Sequence, residues 1–514
     1  MSTDHDLFPT DTTGLAPVSR PSDVRLADGD TLGLSIGPVR KELRTEDPGQ
    51  TAELRMLAYN GSIPGPTLHV RQGSAITVDV RNDGDVETTV HWHGLRLENR
   101  YDGVPHETQE PIPVGGGYRC HVQFPDPGFY WYHPHLREDV GQEMGLYGTI
   151  VVEPAAPDYW APVDRELTLT LDDLLVEDGH IAAFHRSGPN FTAMGRFGNV
   201  FLVNGETTFA GTAVVGEVLR LCLVNTANTR LFDVALRGAR TKLVGGDSGR
   251  YERETFVDAV LLAPSERAVL DVLFDAPGEV RLEHRTPDRV YDLGAFTVAP
   301  ATRGGDGAAG TYGTLRTDPD LTEQHRLIEH DLRRDPDKVL AFVSKMSMSM
   351  GDMPMGDMAG DMAMSMGDMA MDHSDGLEWE DGMLEMNRAS NPGNMIWQLV
   401  DQQTGAVNSA IDWAFTVGDR VKIRLVNDRD QDHPMHHPFH IHGAGRFLVL
   451  SRDGVPEPNL VWKDTVLLAS GQTIDILLDV SNPGLWMAHC HIAEHTESGM
   501  MFSFTVARTA EPVG

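Results

Sequence analysis

Near the C-terminus the run WMAHCHIAEHTESGMM, Trp486 to Met501, sets His489, Cys490, His491 and His495 within seven residues, with Met500 five positions further on. One thiolate walled in by imidazoles points to soft-metal chemistry rather than to a disulfide. A Cys thiolate with two imidazoles (Cys490 with His437 and His495) and a weak axial thioether (Met500) is the trigonal set that blue-copper electron transfer uses. Zinc has no use for the axial sulfur. An axial Met, rather than Leu or Phe, predicts a lower potential and easily oxidised donors.

Three further clusters accompany it: HWHG with His91 and His93, YHPH with His133 and His135, and HPFHIHG with His437, His440 and His442. Successive side chains of an extended strand point to opposite faces, so each H-x-H pair aims both imidazoles the same way. Four pairs supply eight imidazoles, which makes metal binding the strong reading. The same period sends Cys490 to one side of its strand and His489 and His491 to the other. The thiolate and its neighbours can therefore serve separate centres joined by covalent backbone.

The elements that must carry these residues are strands. Short apolar runs separated by Gly, Pro, Asn and Asp clusters predict an all-β, multi-domain chain. After a polar tail (1–21), seven strand-like segments span 22–155 and suggest a Greek-key sandwich. A second set, 160–300, has no clustered histidines and reads as a spacer. Residues 301–335 read as a linker rich in Gly and Thr, and a third set occupies 336–510. FTVGDRVKIRLVND in the third set echoes HVRQGSAITVDVRND in the first, and a histidine cluster follows each closely. The clusters therefore sit at corresponding places in the first and last domains.

Composition narrows the partners. With 76 acidic against 42 basic residues and a formal charge of −34, nucleic acid and anionic membrane surfaces are excluded. Three cysteines in 514 residues make no disulfide framework. Cys120 and Cys222 lie in strand-like runs and read as buried small hydrophobes, with a bridge between them left open. No run is long and apolar enough for a transmembrane helix. The N-terminal residues show no export signal, which predicts a cytoplasmic protein as the chain stands, or a periplasmic or extracellular one if a leader was removed.

Inserted in the third set, residues 346–375 hold Met residues at every two or three positions, interrupted by Gly, Pro and Asp so that no helical or strand face survives. Thioether sulfur suits cuprous copper and the aspartates attract cations, so the insertion, with Met353 and Met355 in it, reads as a copper-recruiting segment.

Together the four motifs resemble those of the multicopper oxidases, a family of three cupredoxin-like Greek-key β-sandwich domains that includes laccases, bilirubin oxidases and copper-efflux cuprous oxidases. The likeness covers about residues 22 to 510. It implies a type 1 copper on His437, Cys490, His495 and Met500. A type 2 copper would take His91 and His440, and a type 3 pair His93, His133, His135, His442, His489 and His491, about four coppers per chain by ligand count. It also implies O2 as the acceptor, reduced to water. Asp102, nine residues after His93, stands where relatives carry an acidic residue near the trinuclear site. Several bacterial relatives have Glu directly after the last type 1 histidine. Here the residue is Thr496, so Glu494 and Glu497 become the candidates, Glu497 the one assigned to proton delivery. Met435 matches the spacing of a cuprous-ion methionine, with Asp430 and Asp432 beside it. His433 and His436 read as solvent-facing or substrate-side.

The expected activity is a laccase-like oxidase acting as a monomer on phenols, aromatic amines and Cu(I). The alternatives are a copper nitrite reductase-like enzyme, against which the eight imidazoles argue, and a non-catalytic copper-sequestering protein.

Overall fold

The computed structural model describes residues 9–44, 51–301, 307–347 and 375–509. They form three β-sandwiches in chain order, so the all-β, cupredoxin-like architecture holds. The first packs a four-stranded sheet containing Thr31–Arg44 and Ala75–Asn82 on a five-stranded sheet ending in the short strand His91–His93. Alternation is plain in Ala75–Asn82, whose even positions are buried while the others face outward, as a sheet with one wet face requires.

The third sandwich repeats this plan. A six-stranded sheet built on Arg420–Val426 and Thr473–Val480 packs against a five-stranded one that includes His437–Ile441 and Gly484–Cys490. Register brings the histidine motifs together within each domain. His91–His93 runs antiparallel to Gly128–His133 with His91 opposite His133. His437–Ile441 runs antiparallel to Gly484–Cys490 with His440 opposite His489.

The middle sandwich contributes strands buried on both faces. Every residue of Val218–Asn225 is buried, because one face fills its own core and the other meets the first sandwich. Cys222, Val224 and Val269 pack there with Phe129, Trp131 and Tyr147. Cys222 thus lies at a domain interface and Cys120 in the first core; both are free thiols, so no bridge joins them.

The stretch read as a linker is not structureless. Pro319–Leu327 and Glu329–Arg333 are helices, the first capped by the Asp318 carboxylate, which accepts from the amides of Asp320 and Leu321. Leu321 and Ile328 pack on Leu448, Leu450 and Leu477 of the third sandwich. An Asp N-cap followed by Pro at the first helical position was the available signal. Most of the methionine-rich insertion, including Met353 and Met355, lies outside the described residues. Among the described residues, no helix is long and apolar enough to cross a membrane.

Candidate metal centre

The predicted ligands assemble into two neighbouring groups, all of them buried. In one, Cys490 Sγ lies 3.5 Å from His437 Nδ1 and 3.7 Å from His495 Nδ1. Bonds of about 2.0–2.3 Å to one metal ion in trigonal geometry separate ligand atoms by about that much. Met500 is fully buried and tied to the same turn, its carbonyl accepting from the Cys490 amide at 3.2 Å. Trp397 stacks on His495 at 4.0 Å between ring centres and Phe342 on His437 at 5.3 Å. The Trp397 indole donates to the Thr192 carbonyl, so a loop of the middle sandwich closes over this group.

The second group gathers the eight other imidazoles from the first and third sandwiches. His135, His442 and His489 form one set whose ligand atoms lie within 4.8 Å of one another, and His91, His440 and His442 form another. His93, His133 and His491 face each other with ring centres 5.0–5.7 Å apart.

Hydrogen bonding fixes which nitrogens of this group are free to bind a metal. His442 Nδ1 donates to the Asp102 carboxylate at 2.8 Å and His489 Nδ1 to the Cys490 carbonyl at 2.8 Å. Their Nε2 atoms are then bare lone pairs, yet they face each other at 3.1 Å. A metal ion accepting both lone pairs would make that arrangement favourable. His91 Nδ1 donates to the Asp102 carbonyl at 2.6 Å, and His440 Nδ1 to the Asp464 carbonyl at 2.9 Å. His91 Nε2, His93 Nδ1, His133 Nε2, His440 Nε2 and both nitrogens of His491 are buried with no hydrogen-bond partner among the described residues. Such orphans are rare in proteins unless a metal takes the lone pair.

Burial, reinforced by neighbouring imidazoles, holds His93, His133, His135, His440, His442 and His491 well below the usual histidine range. His489 is pushed down to about 3, chiefly by burial. These rings are neutral at physiological pH, the state in which a metal binds them. Burial pushes the Cys490 thiol up, so metal binding must displace its proton.

Residues 42–157 and 384–510 each match a family model described as multicopper oxidase. The chain belongs to the multicopper oxidase family. Among its relatives, multicopper oxidase MmcO of Mycobacterium tuberculosis is 26% identical over 86% of this chain and 82% of its own length. Multicopper oxidase mco of Staphylococcus aureus is 25% identical over 88% and 84%. Copper resistance protein A of Escherichia coli is 24% identical over 87% and 89%. A laccase-like multicopper oxidase structure from Ochrobactrum sp. superposes with a TM-score of 0.69 at 23% identity, covering 96% of this chain and 100% of that one. Membership makes the protein an oxidoreductase with copper cofactors, and the donor set described above fits copper: one thiolate with imidazoles, and a cluster of neutral imidazoles.

Around the candidate ligands of this multicopper oxidase lie further residues that carry no motif. Glu138 is buried with Oε1 3.1 Å from His135 Nε2, and neither oxygen has a hydrogen-bond partner among the described residues. Burial, with help from Glu497 and Asp139, raises its carboxyl well above the ordinary range. Glu497 accepts from the Glu138 amide at 2.9 Å and is itself pushed up to about 7 by burial and then Asp139. Thr496 donates to the Cys490 carbonyl and lies 3.2 Å from His489 Nδ1. Its hydroxyl is engaged in holding the ligand strand.

His433 and His436 are buried, not solvent-facing. Met435 is fully buried in the core of the third sandwich, whereas Asp432 is exposed and accepts from the Met346 amide at 3.0 Å. The middle sandwich, read as a spacer, supplies Asn228 and Thr229 to Glu494 at 3.2 Å each, and Arg267 to Asp464, which touches His93. Glu138 lies three residues after YHPH and was open to detection by that proximity. Arg267 and Asp464 carry no motif, and each stands next to another charge, Glu266 and Lys463, so nothing in the spacing marks them.

Proposed function

We propose that the chain couples one-electron oxidation of small reductants, Cu(I) first among them and phenols or aromatic amines second, to four-electron reduction of O2 to two waters. Bound at His437, Cys490, His495 and Met500 (type 1), at His91 and His440 (type 2) and at the other six imidazoles (type 3), copper would supply the electron transfer and the oxygen chemistry. The observation that carries this reading is the split at position 490. Cys490 Sγ faces the His437 group while its neighbour His489 faces His442, so an electron has a covalent route one residue long between the two groups.

The chain's own part is to orient, exclude and supply protons. Asp102 holds His442 through its carboxylate and His91 through its carbonyl. Four protons are needed per O2, and Glu138, beside His135, and Glu497, which accepts from the Glu138 amide, are carboxyls whose affinity for protons burial raises, so they are placed to supply them.

Two features support Cu(I) as donor. Both imidazoles of the Cys490 group are fully buried, which leaves no ring edge for a bulky phenol to touch. The two ends of the methionine-rich insertion are anchored on either side of Met435: the Met346 amide donates to Asp432, and the Glu378 amide donates to His436 Nδ1 at 3.1 Å.

Oxygen uptake by the copper-loaded full chain tests the reading, with Cu(I) and with a methoxyphenol as donors, before and after deletion of residues 346–375. Deletion should lower Cu(I) oxidation and leave or raise phenol oxidation. Equal loss of both removes the insertion from donor delivery, and absence of sustained uptake with any donor identifies a storage protein instead.

A further inference from the structure

We propose that Arg267 and Asp464 form a positioning clamp through which the middle sandwich, which contributes no copper ligand, sets the geometry of the trinuclear histidines. The proposal rests on the reading of the eight imidazoles as copper ligands. Asp464 lies on the third sandwich immediately before the strand Thr465–Leu468 and touches two candidate ligands at once. Its Oδ1 accepts from His93 Nε2 at 3.1 Å, and its carbonyl accepts from His440 Nδ1 at 2.9 Å. His93 and His440 belong to different domains, and their rings stack with centres 3.8 Å apart. One residue therefore fixes the tautomer and tilt of an imidazole from each side of the cluster.

Asp464 is in turn held by Arg267. Nη1 donates to Oδ1 at 2.7 Å and Nη2 to Oδ2 at 2.5 Å, the two-pronged geometry of a guanidinium on a carboxylate. Arg267 is itself immobilised: its remaining donors go to the carbonyls of Phe129, Ser265 and Asp247. Those carbonyls come from the first and middle sandwiches, so the guanidinium joins all three. Asp247 reinforces the arrangement by accepting from the Arg267 amide at 2.9 Å and from the Lys463 ammonium at 3.1 Å.

Two features make this a device for geometry. A buried ion pair is a weak stabiliser compared with an apolar replacement of the same shape, because desolvation offsets the attraction. What the pair does supply is direction, since Arg presents fixed, planar donors that Lys lacks. The second feature is the glycine of HWHG. Gly94 has φ +84°, and a Cβ there would stand 2.5 Å from Asp464 Oδ2 and 2.8 Å from Arg267 Nη2. The chain after His93 is thus shaped to admit the clamp, at a conformation only glycine adopts freely.

With both carboxylate oxygens occupied by Arg267, Asp464 acts through the histidines and not as a ligand. Outer partners of this kind typically carry 10- to 100-fold in metal affinity.

The test compares wild type with Asp464→Asn, Arg267→Lys and Arg267→Gln, using His440→Ala as a control on the ligand reading. Copper per chain, the blue absorption of the type 1 site and the type 2 electron paramagnetic resonance signal are measured after dialysis against a graded copper chelator. Asp464→Asn and Arg267→Gln should keep the blue colour, lose or shift the type 2 signal, and release trinuclear copper at 10- to 100-fold lower chelator concentration. Arg267→Lys, which keeps the charge but not the fork, should fall between. A merely structural role would lower thermal stability in all three and leave the type 2 signal of the folded fraction unchanged, and that result overturns the clamp. If His440→Ala also retains full copper and an unchanged signal, the ligand reading itself has failed. If only His440→Ala loses copper, the clamp alone is refuted. Should Asp464→Asn not fold, the Lys and Gln variants of Arg267 decide the matter by the same signals.

Discussion

His442 and Asp102 lie 340 positions apart in the chain and 2.8 Å apart in the fold, imidazole Nδ1 to carboxylate Oδ2. The contact joins the third sandwich to the first across the imidazole cluster. It also commits the opposite nitrogen of His442 to the cluster interior as a lone pair.

Removing that carboxylate tests the commitment. Asp102→Ala strands a buried N–H, a cost of about 1–3 kcal/mol, and frees His442 to rotate or change tautomer. The expected outcome is a lower melting temperature and about 10- to 100-fold weaker retention of trinuclear copper. Asp102→Asn keeps an acceptor and should lie between alanine and wild type. Calorimetry and copper analysis read the two effects separately.

Cys490→Ser should abolish the blue colour and lower copper by about one per chain, because a hydroxyl is a poor partner for a site built on thiolate. In the wild type, burial holds the thiol protonated until metal arrives. Copper loading of the metal-free protein in weak buffer at pH 7 should therefore release a proton that the serine variant does not release. Identical release from both proteins would place the thiolate outside the metal site.

Glu138→Gln and Glu497→Gln address proton supply. Neither residue touches the Cys490 group, so anaerobic bleaching of the blue colour by a donor should be unchanged. Reoxidation by O2 should slow by about 10-fold or more, the scale of a lost general acid. Stopped-flow mixing resolves the two half-reactions, and slowing of the bleaching step alone would contradict the assignment.

Glu494 makes a prediction about stability against pH. Burial, only partly countered by Arg196, raises its carboxyl from 4.5 to about 7. The folded state then binds more protons than the unfolded state between those values. Stability from this group is full below about pH 4.5 and falls as pH rises through about 7. In metal-free protein, Glu494→Gln should flatten that part of the urea-midpoint profile and raise stability at pH 8. An unchanged slope between pH 5 and 7 would show that the carboxylate is already charged in the folded state.

Local chemistry was legible in the chain itself. The side-chain period of a strand is a property of neighbouring residues, so the common direction of each H-x-H pair, and the opposed directions of Cys490 and His489, followed from spacing alone. Alternation and turn residues likewise announced the strands, and the type of metal followed from one sulfur among imidazoles. Tertiary structure alone decided which pairs meet, which nitrogens are left bare, and who holds them in place. Asp464 and Arg267 are 197 residues apart and carry no motif; their union depends on how three sandwiches dock. The burial that raises the Glu138 carboxyl above its ordinary range and keeps His433 out of solvent has the same origin, because desolvation is set by the packing of distant segments and not by spacing along the chain.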